Sequence, residues 1–429
     1  MDTISATAIP IVIGITTILF IVSKSDISFL LSNPMQASIQ LTALLGMASL
    51  CLTFVLSLKV RFVESLFGGL DKMYRMHRIV ATGAFTFLTY HPILLIVSSL
   101  PNMKLVSLYL IPGLNTSYTF GIISYGILIV LMVVTLYLDL PYHIWKYLHG
   151  YMGFALLAGG THGLLVASDM SRYMPLRIWM SFLIVIGVIA WVYEKLWVYI
   201  TQQRAYSIAT ITRIGDALVM HLTPEASPLR VKPGQFIYIQ IHSDKVSSEP
   251  HPFSVAGIYP DGSIDVGVKI LGDWTLKLVE VQADTPVTLR GPYGYFAERF
   301  LNDTHPAVLI AGGIGITPMY CMIQHESMRA EHPRKVNLIY SVRNLPDALF
   351  HEKFAALAES SSWFTYVLHQ SSISGRLKVD GIQSLLGDDF PKARVFLCGP
   401  PGMMHGIAAT LNGKGIKKKQ IIFEDFSFI

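Results

Sequence analysis

Four histidines fall on segments that read as apolar helices. His77 and His91 stand 14 residues apart on one helix, and His149 and His162 stand 13 apart on another. At 1.5 Å per residue each pair spans roughly 20 Å of helix axis, most of a hydrocarbon core of about 30 Å. An imidazole nitrogen at that depth needs a partner, and a metal supplies one. Two imidazoles on opposite faces of an iron porphyrin make a six-coordinate haem, suited to electron transfer. Pairing one histidine from each helix gives two levels, His77 with His149 and His91 with His162. Fourteen residues at about 100° each return within roughly 40° of the starting direction, whereas thirteen miss it by roughly 140°. The second helix must therefore be distorted or use both faces, and Gly159-Gly160 offers a place for distortion. Hydrogen-bonded core histidines would use the same residues without a metal. His143, just after Pro141, reads as a solvated flank.

A second set of motifs lies further along the chain. His251-Pro252-Phe253-Ser254 follows one strand and begins another, and Ser254 suits a flavin ring edge or ribityl hydroxyl. Lys269 precedes Gly272-Asp273-Trp274-Thr275. Its ammonium suits a pyrophosphate as a flexible point charge, and Gly272 lets the backbone approach one closely. A hairpin with a Pro-containing edge strand would read the same way. Gly312-Gly313-Ile314-Gly315-Ile316-Thr317-Pro318 follows an apolar strand and opens a helix expected over Met319 to Arg329. Such glycines let dinucleotide phosphates reach backbone N–H groups at a helix N-terminus, although a Gly-rich turn needs no ligand. Ser341 and Arg343 end the next strand, where a hydroxyl and a guanidinium suit an adenosine 2′-phosphate and favour NADPH over NADH. Cys398-Gly399-Pro400 ends another strand and places Cys398 near a nicotinamide. No base accompanies the thiol in sequence, which argues against a nucleophile.

The elements that must position these groups divide the 429 residues into two halves. Hydrophobic residues make up 52% and charged residues only 14%, against about 25% charged in soluble domains, so a wholly soluble protein is excluded. No Asp, Glu, Lys or Arg occurs in residues 3–23, 27–58, 79–103, 105–138, 147–168 or 178–193. A spanning helix needs roughly 20 apolar residues, so six spans are expected near 5–23, 38–60, 77–100, 118–138, 143–167 and 176–200. Eight basic residues (among them Lys59, Lys146 and Lys195) flank one side and four the other, which places both termini in the cytoplasm. The first stretch lacks a basic n-region and a cleavage site, so it does not read as a signal peptide. Beyond residue 205, β-rich runs such as FIYIQI and TPVTL alternate with Pro-Gly turns and predict a small antiparallel barrel. From 305, apolar strands alternate with helices and predict a parallel sheet. The expected domains are 1–204, 205–304 and 305–429. A net charge of +5 shows no nucleic-acid footprint, and three distant cysteines show neither metal spacing nor a disulfide framework.

The ordered run HPFS, GDWT, GGIGITP and CGPPGM resembles the ferredoxin-NADP reductase fold. Behind six helices with two histidine pairs, it resembles the NADPH oxidase and ferric reductase family from about residue 38 onward. The resemblance implies a six-helix transmembrane bis-haem bundle, an antiparallel β-barrel FAD domain and an α/β NAD(P)H domain. It implies an inner haem on His77 and His149 and an outer haem on His91 and His162. It assigns FAD to His251, Pro252, Phe253, Ser254, Lys269 and Gly272 to Thr275. Nicotinamide nucleotide falls to Gly312, Gly313, Gly315, Thr317, Pro318, Ser341, Arg343, Cys398, Gly399 and Pro400. Phe426 would stack on the flavin, with Phe428 as the reserve, because three residues follow Glu424-Asp425-Phe426. The family often has Arg where Lys269 stands. No calcium-binding extension is expected.

The implied reaction is electron export: cytoplasmic NADPH gives a hydride to FAD, single electrons pass through two b-type haems, and an external acceptor takes them. Flavin joins the two because nicotinamide gives pairs and haem takes one electron. The acceptor is oxygen, giving superoxide, or ferric iron. Leu95 occupies the position one turn beyond His91 where oxidases often carry a second histidine, and Asn102, Lys104 and Arg172 are available on the outer side. A haem-free, membrane-anchored FAD reductase and a nucleotide-gated transporter are the competing readings.

Overall fold

The computed structural model describes residues 3–24, 26–197, 203–329, 334–378 and 392–423. Contacts divide the chain into two compact units, Met1–Tyr199 and Ile200–Ile429.

The first unit is helical. Its main helices are α1 (Thr3–Val22), α2 (Pro34–Val55), α3 (Leu70–Ser99), α4 (Met103–Leu110), α5 (Thr116–Tyr137), α6 (Tyr142–His149), α7 (Met152–Leu165) and α8 (Met174–Val192). Starts follow local chemistry. Pro34 opens α2, where a missing N–H is harmless, and Asn115 caps α5 by accepting from the Tyr118 N–H. Among the described residues four helices are long and apolar enough to cross a membrane: Pro34–Val55, Leu70–Ser99, Thr116–Tyr137 and Met174–Leu196. That is fewer than the six expected. The apolar stretch of α1 counted by this criterion is shorter, Thr7–Val22, and the fifth stretch is two helices of 8 and 14 residues.

The break in that fifth stretch is not where the glycine pair stands. Gly159 and Gly160 lie inside an unbroken α7. The interruption is at Gly150-Tyr151, directly after His149, where Gly150 N–H donates to Lys146 and Tyr147 carbonyls and Tyr151 N–H donates to Leu148. Bonds of the i→i+3 type wind about 120° per residue rather than 100°. That overwinding turns His149 back toward the direction the thirteen-residue spacing misses. The Trp191 indole N–H donates to the Gly150 carbonyl at 3.0 Å and holds the break against α8. Ala48, Cys51, Ala155, Leu156, Leu176 and Met180 form the buried centre between α2, α7 and α8.

The second unit begins with a closed six-stranded antiparallel barrel in the order β1-β2-β5-β4-β3-β6. Its strands are β1 (Gln203–Ile214), β2 (Ala217–Pro224), β3 (Phe236–Ile241), β4 (His251–Ile258), β5 (Ile264–Lys269) and β6 (Pro286–Tyr293). The sequence reading missed β2, whose apolar run is interrupted by His221. A five-stranded sheet follows in the order β11-β10-β7-β8-β9, with parallel ladders throughout. Its strands are β7 (Ala307–Gly312), β8 (Val336–Val342), β9 (Phe364–Gln370), β10 (Arg394–Cys398) and β11 (Ile421–Phe423). Helix α9 (Asp273–Lys277) follows β5, α10 (Ile316–Ser327) follows β7 and α11 (Pro401–Gly413) follows β10. The α10 start is three residues earlier than Met319, so Thr317 and Pro318 belong to its first turn, where proline is tolerated.

Candidate functional site

Within the helical unit the four histidines meet in the two expected pairs. Ring centroids are 6.4 Å apart for His77 and His149 and 6.5 Å for His91 and His162. A metal held about 2 Å from a nitrogen of each of two facing rings separates their centroids by roughly 6 Å, so both gaps fit a shared metal. Among the described residues no group of three or more His, Cys, Asp or Glu gathers for a metal. Two ligands per site suit a porphyrin, which brings four nitrogens of its own.

The outer nitrogens of the rings are already engaged. Nδ1 of His77 lies 2.9 Å from the Thr53 carbonyl, Nδ1 of His91 2.9 Å from the Ile39 carbonyl and Nδ1 of His162 2.8 Å from the Ser117 carbonyl. A carbonyl only accepts, so each Nδ1 carries the proton and each Nε2 keeps a free lone pair. Thr135 Oγ1 gives its proton to the Leu131 carbonyl at 2.7 Å and so accepts from His149 Nδ1 at 3.4 Å. Ligating histidines need this second interaction, which fixes tautomer and ring orientation.

Two helices thus back the ligand helices. On α2 the acceptors are Ile39 and Thr53, 14 residues apart, matching His91 and His77. On α5 the hydrogen-bond partners are Ser117 and Thr135, 18 residues apart, which serve His162 and His149. A Cβ on Gly121 would meet His162 Nδ1 at 3.0 Å and Cε1 at 3.1 Å, so a side chain here would crowd the ring by a few tenths of an ångström. Trp145 stacks on His149 with centroids 5.2 Å apart. Sequence reasoning missed all these partners. A carbonyl has no residue type to read.

In the barrel, HPFS and GDWT come together. The Trp274 ring lies 4.1 Å from His251 and 5.9 Å from Phe253 by centroid, and its indole N–H donates to the Ser247 carbonyl. Thr275 Oγ1 accepts from the Leu271 and Gly272 N–H groups and donates to the Gly272 carbonyl, which fixes the loop that carries Gly272 and Asp273. Nothing lies within 4 Å of where a Gly272 Cβ would stand. His251 Nε2 is buried without a hydrogen-bond partner. Burial holds the His251 pKa below its ordinary value, opposed by nearby Glu249. Glu249 Oε2 stands 4.0 Å from this nitrogen, beyond hydrogen-bond distance, and the ring fits a bound polar group such as a flavin. Pro252 and Ser254 occupy the same strand, paired with Tyr238 and Phe236 of β3.

The nucleotide side is built where β7, β8 and β10 end. A Cβ on Gly315 would stand 2.2 Å from the Cys398 carbonyl oxygen and 2.8 Å from Gly399 N, so the two glycine loops touch backbone to backbone. Gly312 aligns with Ser341 across β7 and β8. Pro400 precedes α11, and a Cβ on Gly312 would meet its Cδ at 2.8 Å. Thr317 Oγ1 donates to the Ile314 carbonyl, and its methyl fills the place of a Gly267 Cβ on β5. Cys398 is buried in the core of this sheet, as Cys321 is in the barrel core, where burial pushes its thiol up to about 12. Lys269 stands at the end of β5. Its Nζ pairs with Asp216 at 3.3 Å, lies 3.9 Å from a Gly313 Cβ position, and lines one cavity with Gly313, Arg343 and Asp347. Phe426, Phe428, Glu424 and Asp425 lie outside the described residues.

Three family models match the chain in order. Residues 42–160 match the ferric reductase like transmembrane component, 201–317 an FAD-binding domain and 309–409 the oxidoreductase NAD-binding domain. The electron transfer component of toluate 1,2-dioxygenase from Pseudomonas putida is 25% identical over 244 residues, 53% of this chain and 69% of that protein. The reductase component of propane 2-monooxygenase from Rhodococcus jostii (strain RHA1) is 27% identical over 243 residues, 53% of this chain and 63% of that protein. The chain thus spans about two thirds of the length of these relatives. A flavohemoglobin from Malassezia yamatoensis, solved with FAD and haem, superposes with a TM-score of 0.51 over 92% of this chain and 98% of its own at 19% identity, a likeness of fold.

A helical membrane component joined to FAD-binding and NAD-binding domains defines an integral-membrane NAD(P)H oxidoreductase. The chain has the architecture of the NADPH oxidase and ferric reductase family.

Proposed function

We propose that this protein carries electrons from cytoplasmic NADPH across the plasma (inner) membrane to an external acceptor, oxygen or ferric iron. Two b-type haems and FAD are the implied cofactors, with NADH as a possible alternative donor. The observation that supports this best is the pair of facing histidine couples, 6.4 and 6.5 Å between centroids, with each Nδ1 hydrogen-bonded so that each Nε2 carries the lone pair. His77 and His149 would hold the inner haem and His91 and His162 the outer one, within a bundle of six spans over 1–204. When bound, FAD accepts a hydride and releases single electrons that haem can carry.

The residues of this chain do the positioning. His251, Phe253 and Trp274 form an aromatic wall for the flavin, Ser254 offers a hydroxyl, and Pro252, Gly272, Asp273 and Thr275 shape the backbone around it, within a domain over 205–304. Gly312, Gly313, Gly315, Thr317, Pro318, Gly399 and Pro400 form the nucleotide cradle of the 305–429 domain, with Cys398 closing its nicotinamide end. Ser341 and Arg343 would read the 2′-phosphate. We place Lys269 on the nucleotide rather than on the flavin pyrophosphate, because it shares a cavity with Gly313 and Arg343. Phe426 is assigned to the flavin face, with Phe428 in reserve. An inside-negative membrane favours outward electron flow by about 2.3 kcal/mol per 100 mV.

A dithionite-reduced minus oxidised spectrum of purified protein, with haem quantitation, tests the reading. Two haems per chain are expected. Full FAD content with no Soret absorbance would replace it with a haem-free anchored reductase.

A further inference from the structure

Among the four histidines, His149 is held differently from the rest. The Nδ1 atoms of His77, His91 and His162 each donate to a backbone carbonyl at 2.8 to 2.9 Å. His149 Nδ1 meets a hydroxyl instead, Thr135 Oγ1 at 3.4 Å, and that hydroxyl is itself committed to the Leu131 carbonyl at 2.7 Å. What this ring has in addition is a stacked neighbour. The Trp145 ring lies 5.2 Å away by centroid, with planes 21° from parallel. The two residues stand four apart on α6, the spacing that puts side chains on one helix face, and α6 ends at His149, where the chain breaks. The aromatic beside His162, Tyr118 at 6.4 Å, is tilted by 48° rather than stacked.

A ligating imidazole that gives its Nδ1 proton to a strong acceptor gains electron density and becomes a better donor to a metal. A better donor favours the oxidised metal, which makes second-shell hydrogen bonding one of the levers on a haem's potential. Both rings of the His91–His162 couple have such an acceptor, whereas in the His77–His149 couple only His77 does. Two charges stand near the inner couple. Lys195 packs over Gly150, and Glu194 accepts from Ser57 Oγ at 3.1 Å. Adjacent in sequence and opposite in sign, they offset one another at a distance.

We infer that Trp145 is the positioning residue of His149, orienting by stacking a ring that no carbonyl orients, and that the inner couple is for this reason the more readily reduced of the two. This deepens the proposed function and rests on it. The consequence is directional. An electron received from the cytoplasmic side stays at the inner couple until the external acceptor or the inside-negative membrane draws it outward.

The test is a redox titration of the full-length protein followed by haem absorbance, with low-temperature EPR of the oxidised form. Two one-electron waves are expected in the parent. Trp145→Leu frees the His149 ring and should move the upper wave alone, upward by about tenfold in its reduction equilibrium, or about 59 mV for one electron. It should also shift the low-field EPR feature that depends on the angle between ligand planes, 66° for this couple. Trp145→Phe keeps an aromatic ring and should shift the same wave by less. Thr135→Val removes a contact of 3.4 Å and should leave both waves near their parent positions. Coincident waves in the parent, movement of the lower wave or of neither in Trp145→Leu, or an equal shift in Thr135→Val would overturn the inference while leaving the haem reading intact. Absence of haem from the parent protein would instead overturn the proposed function and this inference with it.

Discussion

The Cβ that Gly121 lacks would stand 3.0 Å from Nδ1 of His162, the same nitrogen that donates to the Ser117 carbonyl one helical turn earlier. One residue of α5 therefore leaves the space and another supplies the acceptor, so this helix sets the ring of a histidine on α7.

Gly121→Ala should push that ring aside and weaken its metal contact. Haem content is expected to fall from two per chain toward one. Gly126, on the same helix with nothing within 4 Å of its Cβ position, is the control. Pyridine haemochrome quantitation checks both variants, and an undiminished ratio in Gly121→Ala would show that the close approach does not position the ring.

Gly315→Ala should be poorly tolerated, because its methyl would meet the Cys398 carbonyl, and backbone cannot rotate away as a side chain can. Forced overpacking of this kind costs about 1–3 kcal/mol. Gly272→Ala should leave stability within about 0.5 kcal/mol, since its Cβ position is open, yet weaken FAD retention. Thermal unfolding and flavin fluorescence of the two variants separate a packing glycine from a ligand-facing one.

Lys269→Ala should raise the Michaelis constant for NADPH by about tenfold, the equivalent of about 1.4 kcal/mol, with FAD content unchanged. FAD loss without a change in that constant would return Lys269 to the flavin pyrophosphate. Asp216→Asn, which frees Lys269 from its partner, should act in the opposite direction and lower the constant.

Arg343→Ala should raise the NADPH constant more than the NADH constant. Equal effects in steady-state assays with both nucleotides would remove the 2′-phosphate assignment.

His251 gives a pH dependence of defined sign. Burial lowers its pKa from 6.5 in the folded protein, so below that pH the unfolded chain binds the additional proton. Stability contributed by this group therefore declines as pH falls through 6.5 toward the folded value. Thermal midpoints measured from pH 7.5 downward should fall more steeply for the parent than for His251→Gln, and parallel slopes would contradict the burial argument.

What the amino-acid sequence determined by itself is local chemistry and order. Charge-free stretches marked the apolar helices, four of them long enough to span among the described residues, because a charge in lipid is costly at any position. FIYIQI and VNLIYSV lie where β3 and β8 form, since apolar runs bounded by turn residues have few other stable uses. The depth at which the four histidines pair was legible in their spacing, because helical rise is the same for every residue, whereas the facing of His149 and His162 was not. Tertiary structure decided the rest. It put the break at Gly150-Tyr151 rather than Gly159-Gly160, since Trp191 arrives from another helix to hold the freed carbonyl. It chose Ile39, Thr53 and Ser117 as acceptors, which no residue type advertises because every carbonyl is alike. It brought Gly315 against Cys398 and Lys269 beside Gly313, contacts between segments far apart in sequence. Periodicity and composition act over a few turns of chain, whereas the orientation of a ligand depends on which remote backbone atom packing carries to it.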